Sequence, residues 1–220
     1  MSSDELAKQR LYQGIGRVAA ALGSAGRLQI LEFVAQGERS VDALAAMTGL
    51  SVANTSKHLQ ALRQAGLVSA RREGVRVYYA LAGDDVSLLL AALRGVAEHR
   101  AADVEKLLQA WLAHRDELEP VPAREVLKRA RDGLVTVLDV RPAEEYAAGH
   151  LPGAINVPID KLEGYLSKLP KRKEVIAYCR GPYCLMSFEA VRKLRRRGFK
   201  AKRLENGYPE WRAAGLPVER

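Results

Sequence analysis

The second half of the sequence alternates short β-branched segments with amphipathic segments, and this alternation restricts the fold more than any other feature. A short β-branched run is typical of a buried strand, whereas the segments between these runs have apolar residues at helical spacing. Strands that alternate with helices form a parallel sheet, which binds ligands at the carboxyl ends of its strands. The region is therefore predicted to be an α/β domain. Its segments are AREVLKRARDG, LVTVLDV, PAEEYAAG, AINVP, EVIAY, FEAVRKLRRRG and KAKRL.

Both cysteines of the chain lie in this region, at the two ends of the stretch CRGPYC, Cys179–Cys184. The strand EVIAY precedes the stretch, and a segment with helical spacing follows it and ends at Gly198. Cys179 is therefore expected at a strand end that faces a helix N-terminus, where backbone N–H groups favour anions and lower the pKa of a thiol. The alternative is that both cysteines are small, inert core residues.

Length and composition set limits on the whole chain. The 220 residues fit two domains of ordinary size. The charged N-terminal segment MSSDELAKQR lacks an apolar signal region, and no apolar run approaches the ~20 residues of a membrane span. Two cysteines without a disulfide framework suit a reducing compartment. We therefore expect a cytoplasmic protein that does not contact a membrane.

The net charge of +9 is unevenly distributed. Through Glu119 the chain has 14 basic and 14 acidic residues, whereas from Pro120 onward it has 21 basic and 12 acidic residues. Much of the surplus lies in KRK, Lys171–Lys173, and in RKLRRRGFKAKR, Arg192–Arg203. Such runs usually form a solvated helix face and its flanks. The net charge alone therefore does not indicate nucleic acid as a partner.

The first half of the chain has the pattern helix, helix, turn, helix and two strands between Ala25 and Gly83. Ser40 and Ser51 are expected to cap two successive helices, SVDALAAMTG and VANTSKHLQALRQAG, each of which ends at a glycine. Two helices joined by a short turn that contains glycine are typical of a helix-turn-helix motif.

The second of these helices has one apolar and one polar face. At ~100° per residue, the inner face contains Val52, Thr55, Leu59 and Leu62. The opposite face is polar, positively charged and without acidic residues, and with its flanks it contains Asn54, Ser56, Lys57, His58 and Gln60. Side chains of these types can bind base edges or phosphates in a major groove. The alternative is an ordinary solvent-exposed helix face.

A predicted β-hairpin, LVSARREGVRVYYAL, follows this helix directly. Apolar residues alternate on both sides of REG, so the tip of the hairpin carries Arg71, Arg72 and Arg76. A basic hairpin beside a recognition helix is a winged helix, and its arginines reach phosphates or the minor groove. The two features together predict a double-stranded DNA operator as the partner.

This half closely resembles the ArsR-type winged-helix repressors, over roughly residues 24–83, through the recognition helix, the join LRQAGLV and the wing RREGVRVYY. The resemblance implies a homodimeric repressor that leaves its DNA when an inducer binds. Metal-sensing members carry a Cys-Val-Cys box in the helix before the recognition helix, whereas this chain has SVD, Ser40–Asp42, at that place. We therefore expect no metal site and no cofactor, and an inducer that is sensed elsewhere.

Apolar residues continue at helical spacing from Val86 to Leu112. This stripe predicts one long helix, from Asp84 to Arg115, that packs on a partner surface. We interpret it as the dimerisation helix, which would hold two recognition helices about one DNA turn apart. His99 and His114 are expected to be surface residues of this helix rather than ligands.

Three motifs in the second half resemble the rhodanese (sulfurtransferase) domain: VLDVRPAEEYAAGHLPGAINVP, YCRGPYC and LENGYPEWRAAGLPV. The similarity covers almost all of residues 121–218. It implies that Cys179 is the nucleophile that carries a persulfide, in a loop completed by Arg180, Gly181, Pro182, Tyr183 and Cys184. It also implies scaffold roles for Asp139, Arg141, His150 and Asn156, and core positions for Tyr208 and Trp211.

The loop departs from that of enzymatic rhodaneses, which usually have glycine at the fourth position and a cation or hydroxyl residue at the sixth. Here Pro182, which donates no N–H, is fourth and Cys184 is sixth. A related phosphatase or arsenate-reductase loop has Arg where this chain has Leu185, which argues against phosphate or arsenate chemistry. Cys184 is interpreted as a resolving thiol that captures the persulfide of Cys179. The alternative is that Cys184 packs inward at the first turn of the helix.

These observations predict a multidomain chain. Residues 1–117 form a mainly α winged helix-turn-helix and dimerisation domain, 118–122 a stiff linker, and 123–220 an α/β rhodanese-like domain with a parallel sheet. The favoured function is a DNA-binding repressor that senses reactive sulfur (thiosulfate, polysulfide or persulfide) through Cys179 and Cys184, with at most weak sulfurtransferase activity. Two alternatives stay open: an active sulfurtransferase tethered to a DNA-binding domain, and a sensor of trivalent arsenic that uses both thiols.

Overall fold

The computed structural model describes residues 2–112 and 120–220. Contacts between residues divide the chain into two compact units, Met1–Val86 and Ser87–Arg220. No described helix is long and apolar enough to cross a membrane. The domain boundary expected at 117 lies outside the described residues, and the division into a linker over 118–122 and a second domain from 123 stays a prediction.

The first unit is a winged helix-turn-helix. Its helices are α1 (Ser3–Leu22), α2 (Ala25–Val34), α3 (Val41–Thr48) and α4 (Val52–Gln64). The wing is the antiparallel hairpin of β2 (Val68–Glu73) and β3 (Arg76–Leu81), and the two-residue strand β1 (Arg39–Ser40) pairs with the other side of β3. The helix caps are as predicted, because Ser40 accepts the amide of Ala43 at 3.3 Å and Ser51 accepts that of Asn54 at 3.2 Å.

The apolar face of α4 packs on the core of this unit. Thr55, Leu59 and Leu62 are fully buried, as predicted. The prediction is wrong for Val52, whose side chain is 51% exposed. Val52 is the first residue of α4, so the neighbouring turn does not yet cover it.

Helix α1 was not predicted from the sequence. It begins with a capping box, in which Ser2 Oγ accepts the amide of Glu5 at 3.2 Å and the carboxylate of Glu5 accepts the amide of Ser2 at 2.7 Å. The spacing Ser-x-x-Glu is a start signal that could have been recognised.

The second unit begins with most of α5 (Asp84–Arg100) and with α6 (Ala102–Leu112). The single helix predicted from Asp84 to Arg115 is wrong, because the helix is interrupted at Ala101. The charges favour an interruption here, because Arg100 stabilises a helix C-terminus, and Asp103 and Glu105 stabilise a helix N-terminus. The predicted end of this helix, including His114, lies outside the described residues.

The rest of the unit is a five-stranded parallel sheet in the order β4-β8-β7-β5-β6. Its strands are β4 (Pro120–Val121), β5 (Val135–Asp139), β6 (Ile155–Asn156), β7 (Glu174–Tyr178) and β8 (Ala201–Leu204). Its helices are α7 (Ala123–Arg131), α8 (Ala143–Ala148), α9 (Leu162–Tyr165), α10 (Leu185–Arg196) and α11 (Tyr208–Ala213). Two residues expected in the linker, Pro120 and Val121, thus form the edge strand beside β8.

The central strand β7 is apolar on both sides because helices cover both faces of the sheet. Val175 and Ala177 belong to one core cluster, together with Phe188 of α10. Ile176 and Tyr178 belong to the other, which includes Trp211 of α11. The next residue, Cys179, continues into the first cluster, so its place at the carboxyl end of β7 is fixed by packing.

Candidate functional site

The cysteine loop, residues 179–184, connects β7 to α10. Cys179 directly follows β7, and Cys184 is the residue before the first turn of α10. The amide of Cys184 donates to the carbonyl of Gly181 at 3.1 Å, and the hydroxyl of Ser187 donates to the carbonyl of Cys184 at 3.0 Å. The loop therefore lies at the carboxyl edge of the parallel sheet, the edge where such sheets bind ligands.

The two cysteines are joined by a disulfide, with their Cα atoms 6.2 Å apart. This separation lies within the ~4.4–6.8 Å that a disulfide requires. Cys179 is only 1% exposed, whereas Cys184 is half-buried. The loop thus holds both sulfur atoms of the chain's cysteines within bonding distance of each other.

Two positions of the loop supply no amide to a bound anion. Pro182 has no N–H, and the amide of Cys184 is already bonded to Gly181. A sulfur atom carried on Cys179 would therefore find fewer N–H donors here than a loop of six non-proline residues can offer.

The side chain of Arg180 is turned away from solvent and bonded to a buried carboxylate. Its Nη2 lies 2.6 Å from Oε1 of Glu145, and its Nε donates to both carboxylate oxygens at 3.0 and 3.1 Å. Glu145 of α8 is fully buried. This ion pair fixes the loop to α8, and the carboxylate of Glu145 compensates the charge of Arg180, the one formal cation of the loop. The sequence alone did not identify Glu145 as the partner of Arg180.

Gly207, before α11, is in close contact with the same loop. A Cβ atom at this position would lie 2.3 Å from the carbonyl carbon and oxygen of Arg180, and 2.4 Å from the amide nitrogen of Gly181. The amide of Tyr208 donates to the carbonyl of Cys179 at 3.2 Å. Only glycine leaves room for this approach, which places the start of α11 against the cysteine loop.

Tyr183, between the two cysteines, contacts α5. Its hydroxyl donates to the carboxylate of Glu98, and the guanidinium of Arg94 lies 5.4 Å from the centre of its ring. Burial, and then the hydrogen bond to Glu98, raise the pKa of Tyr183 well above its ordinary value, so it stays a neutral donor. Arg94 also pairs with Glu210 of α11 at 3.0 Å.

A cleft of about 270 Å³ adjoins these contacts. Its walls come from α5 and α6, from β4, from the cysteine loop and from the end of β8, and they include Arg94, Glu98, Pro182, Tyr183 and Asn206. Helix α5 therefore touches the loop from one side and, through Arg94 and Glu210, the start of α11 from the other.

The expected scaffold residues bind one another and the backbone. Arg141 and Asp139 are fully buried and pair at 2.6 Å; although burial opposes the charge of Arg141, hydrogen bonds to Asp139 raise its pKa. The side-chain amide of Asn156 donates through Nδ2 to the backbone carbonyls of Asp139 and Arg141 at 3.2 and 3.0 Å. His150 stacks on Tyr146, and its Nδ1 is 3.0 Å from the carbonyl of that residue.

The predicted DNA-contacting residues lie on α4 and on the wing of the first unit. Asn54, Lys57 and Gln60 are exposed on α4, whereas Ser56 and His58 are half-buried. His58 is directed toward α2, with its Nε2 3.1 Å from the position that a Cβ of Gly26 would occupy. Asn54, Lys57 and Gln60 are thus the α4 residues best placed for a groove.

The wing arginines differ in their surroundings. Arg71, Arg72 and Arg76 are all exposed. Arg71 pairs with Glu38 at 2.6 Å and with Glu73 at 2.7 Å, and the hydrogen bond from Arg71 lowers the pKa of Glu38. A phosphate would have to compete with two carboxylates for Arg71, and sequence reasoning did not identify Glu38 as one of them.

Comparison with known proteins finds a matching family for each of the two units. Residues 24–70 match the family described as bacterial regulatory protein, arsR family, and residues 122–214 match the rhodanese-like domain. HTH-type transcriptional regulator Rv0324 of Mycobacterium tuberculosis is 47% identical over 212 residues, which cover 96% of this chain and 93% of that protein.

Two further relatives match one part of the chain each. A homodimeric winged helix-turn-helix DNA-binding domain of Mycobacterium bovis, Mb0332, solved by NMR, is 45% identical and covers 47% of this chain and 93% of that domain, with a TM-score of 0.42. A sulfurtransferase of Allochromatium vinosum is 31% identical over 38% of this chain and 78% of its own length. The near full-length similarity to Rv0324, together with the two family matches, shows that the chain belongs to the arsR family of transcriptional regulators and carries a rhodanese-like domain after its DNA-binding domain.

Proposed function

We propose that this regulator is a cytoplasmic, homodimeric repressor that senses reactive sulfur species through Cys179 and Cys184. The observation that carries the proposal is the bridge between the two cysteines of the chain, at the carboxyl edge of the rhodanese-like sheet. A dithiol that closes into a disulfide has two stable states, and a sensor needs two states.

The chemistry requires a sulfur donor such as a low-molecular-weight persulfide, RS–SH. The thiolate of Cys179 attacks the terminal sulfur, the S–S bond of the donor breaks, and RS⁻ leaves, so that Cys179 carries an –S–SH group. The thiolate of Cys184 then attacks Sγ of Cys179, the disulfide forms and HS⁻ leaves. The two thiolates are oxidised, and the donor is reduced to a thiolate and hydrosulfide.

The loop favours sensing over turnover. A turnover enzyme must stabilise its persulfide until an acceptor arrives, yet Pro182 and Cys184 contribute no amide to this task. The second thiol lies within bridging distance and would discharge the persulfide into a disulfide. Trivalent arsenic stays an alternative inducer because soft thiolates bind it, and it is the weaker one because the chain supplies only two thiols.

The contact between the loop and α5 provides a route from the sulfur chemistry to DNA. Tyr183 lies between the two cysteines and binds Glu98 of α5, so opening or closing the bridge changes the position from which Tyr183 donates. We propose α5 as the dimerisation helix, since Leu88, Leu93 and Val96 expose apolar surface in the single chain. A shift of this helix would change the spacing of the two recognition helices.

The test combines intact-protein mass spectrometry with an operator titration on the reduced full-length protein, using Cys179→Ser and Cys184→Ser as the variants. Polysulfide should add sulfur to wild type and to Cys184→Ser but not to Cys179→Ser, and only wild type should lose two hydrogens by forming the bridge. Operator affinity should change on treatment of wild type and stay constant for Cys179→Ser. If Cys179→Ser responds as wild type does, the loop is not the sensor.

A turnover measurement distinguishes the proposed sulfur sensor from the alternative, an active sulfurtransferase. Release of sulfide or transfer to a thiol acceptor over many cycles, with operator affinity unchanged by treatment, would favour a tethered sulfurtransferase. We expect at most a few turnovers before the bridge closes.

A further inference from the structure

The edge of the sheet opposite to the cysteine loop is strongly basic. Parallel pairing places the starts of β5, β7 and β8 side by side, with Val135 opposite Glu174 and Val175 opposite Ala201. Exposed cations precede each of these strands. This basic edge consists of Lys128, Arg131, Lys171, Arg172, Lys173, Arg196 and Lys200.

Two short distances connect the three loops of the basic edge. The ammonium of Lys171 lies 5.7 Å from the ring centre of Phe199, in the loop before β8. The ammonium of Lys173 lies 3.9 Å from the position of a Cβ on Gly133, in the loop before β5. The basic residues therefore form one surface rather than three separate runs.

Most nearby carboxylates are already bound to other arginines. Glu174 pairs with Arg129, and Glu163 pairs with Arg197 at 3.2 Å. In the part of the chain that the structure describes, no carboxylate pairs with Lys171, Arg172, Lys173, Arg196 or Lys200. Asp132 is the remaining acid in these loops, so the surface keeps a large positive excess.

The favourable interaction of cations with helix C-termini explains part of this pattern. Lys128, Arg131 and Arg196 stand at the ends of α7 and α10, where a positive charge stabilises the helix. Lys171–Lys173 belong to no helix. Their mutual repulsion is a cost that a bound polyanion would remove.

We propose that the basic edge binds the phosphate backbone of DNA outside the operator. The chain is a DNA-binding regulator, and its first 119 residues carry equal numbers of basic and acidic residues. Attraction to DNA that does not depend on base sequence comes from net positive charge and counterion release. In this chain the residues from Pro120 onward carry the whole net charge of +9, and the basic edge is where that charge gathers.

The experiment compares two double variants of equal charge in the full-length protein. Lys171→Gln with Arg172→Gln removes charge from the basic edge. Arg124→Gln with Lys161→Gln removes the same charge from exposed positions at the start of α7 and before α9, away from this edge. Each protein is titrated, over a series of salt concentrations, with the operator alone and with the operator flanked by about two further helical turns on each side.

We expect the basic-edge variant to bind the flanked duplex several-fold more weakly than wild type. The slope of log K against log salt should fall by about 0.9 for each phosphate that the edge no longer neutralises. Affinity for the operator alone should be unchanged, and the control variant should behave as wild type on both duplexes. Unchanged thermal unfolding establishes that the variants fold.

Three outcomes would overturn the proposal. Equal losses of affinity in both variants would mean that net charge, and not this surface, matters. No preference of wild type for the flanked duplex would mean that the edge does not reach DNA. Weaker binding of the basic-edge variant to single-stranded RNA, with DNA binding intact, would identify RNA as the polyanion.

Discussion

At the scale of single residues, Gly207 is the position of the candidate site that is least able to accept a side chain. Gly207→Ala would push a methyl group into the backbone of Arg180 and Gly181, and backbone cannot rotate away as a side chain can. We expect a loss of about 1–3 kcal/mol in the free energy of unfolding, as for other overpacked positions, measured by urea denaturation. Loading of Cys179 with sulfur should slow as well.

Gly164→Ala is the matched control for this substitution. Gly164 lies in α9, and no atom stands within 4 Å of a Cβ added there. Alanine is the better helix former, so the control should unfold at the same urea concentration as wild type or slightly above it. Equal destabilisation by both substitutions would refute the steric explanation.

At the scale of elements, α4 and the wing make separate predictions about DNA. Replacing Asn54 or Lys57 by Ala should weaken operator binding by ~1–3 kcal/mol where the side chain binds a base edge, and leave binding to random DNA nearly intact. Arg72→Ala should weaken binding to every sequence alike and reduce the salt slope by about 1. Fluorescence anisotropy with operator and scrambled duplexes measures both. If all three variants fold and keep wild-type operator affinity, the DNA interface lies elsewhere.

The contact between the cysteine loop and α5 leads us to expect that it couples bridge formation to operator affinity. Tyr183→Phe removes the hydroxyl that Glu98 binds, and Glu98→Gln weakens the acceptor. Both variants should form the Cys179–Cys184 bridge at the wild-type rate, whereas the change in operator affinity on polysulfide treatment should shrink toward none. Glu105→Gln, an exposed acid on α6, is the control. A full response in Tyr183→Phe would show that the signal takes another route.

Local signals in the sequence predicted most of these elements. Ser40 and Ser51 predict the starts of their helices, because a capping side chain bonds to an amide only three residues later. The consecutive apolar residues Val175, Ile176 and Ala177 predict a central strand, because a strand that is buried on both faces needs apolar residues at successive positions. Val52 was placed wrongly because periodicity does not show where a helix face stops being covered. The interruption at Ala101 was missed because the apolar spacing continues across it.

The partners of the candidate site residues could not be predicted from one sequence. Glu145 lies 35 positions from Arg180, Glu98 lies 85 positions from Tyr183, and Glu38 lies 33 positions from Arg71. Each carboxylate resembles an ordinary surface acid in its own segment. Only the three-dimensional fold shows which cation or hydroxyl it binds.

At the scale of the whole molecule, the apolar side chains exposed on α5 predict a dimer. Leu93→Glu would place a charge in the proposed interface and should yield monomers, or insoluble protein, at concentrations where wild type is dimeric. Sedimentation velocity at micromolar concentration measures this. Val75→Glu is the control, since Val75 is 96% exposed at the tip of the wing. A monomeric wild type would remove α5 as the dimerisation helix.

The two opposite edges of the rhodanese-like sheet have a kinetic consequence. The five residues of β7 lie between Lys173 and Cys179, which are therefore six residue steps, or roughly 20 Å, apart at ~3.3 Å per residue. Lys171–Lys173 are exposed, so salt screens them from a charge change at the buried Cys179, since the Debye length is ~8 Å at physiological salt. Sulfur chemistry at one edge would therefore leave phosphate binding at the other unchanged. Should the proposed disulfide bridge release the regulator from its operator, the basic edge would keep it on neighbouring DNA, and its return would be timed by reduction of the disulfide rather than by a new search through the cell.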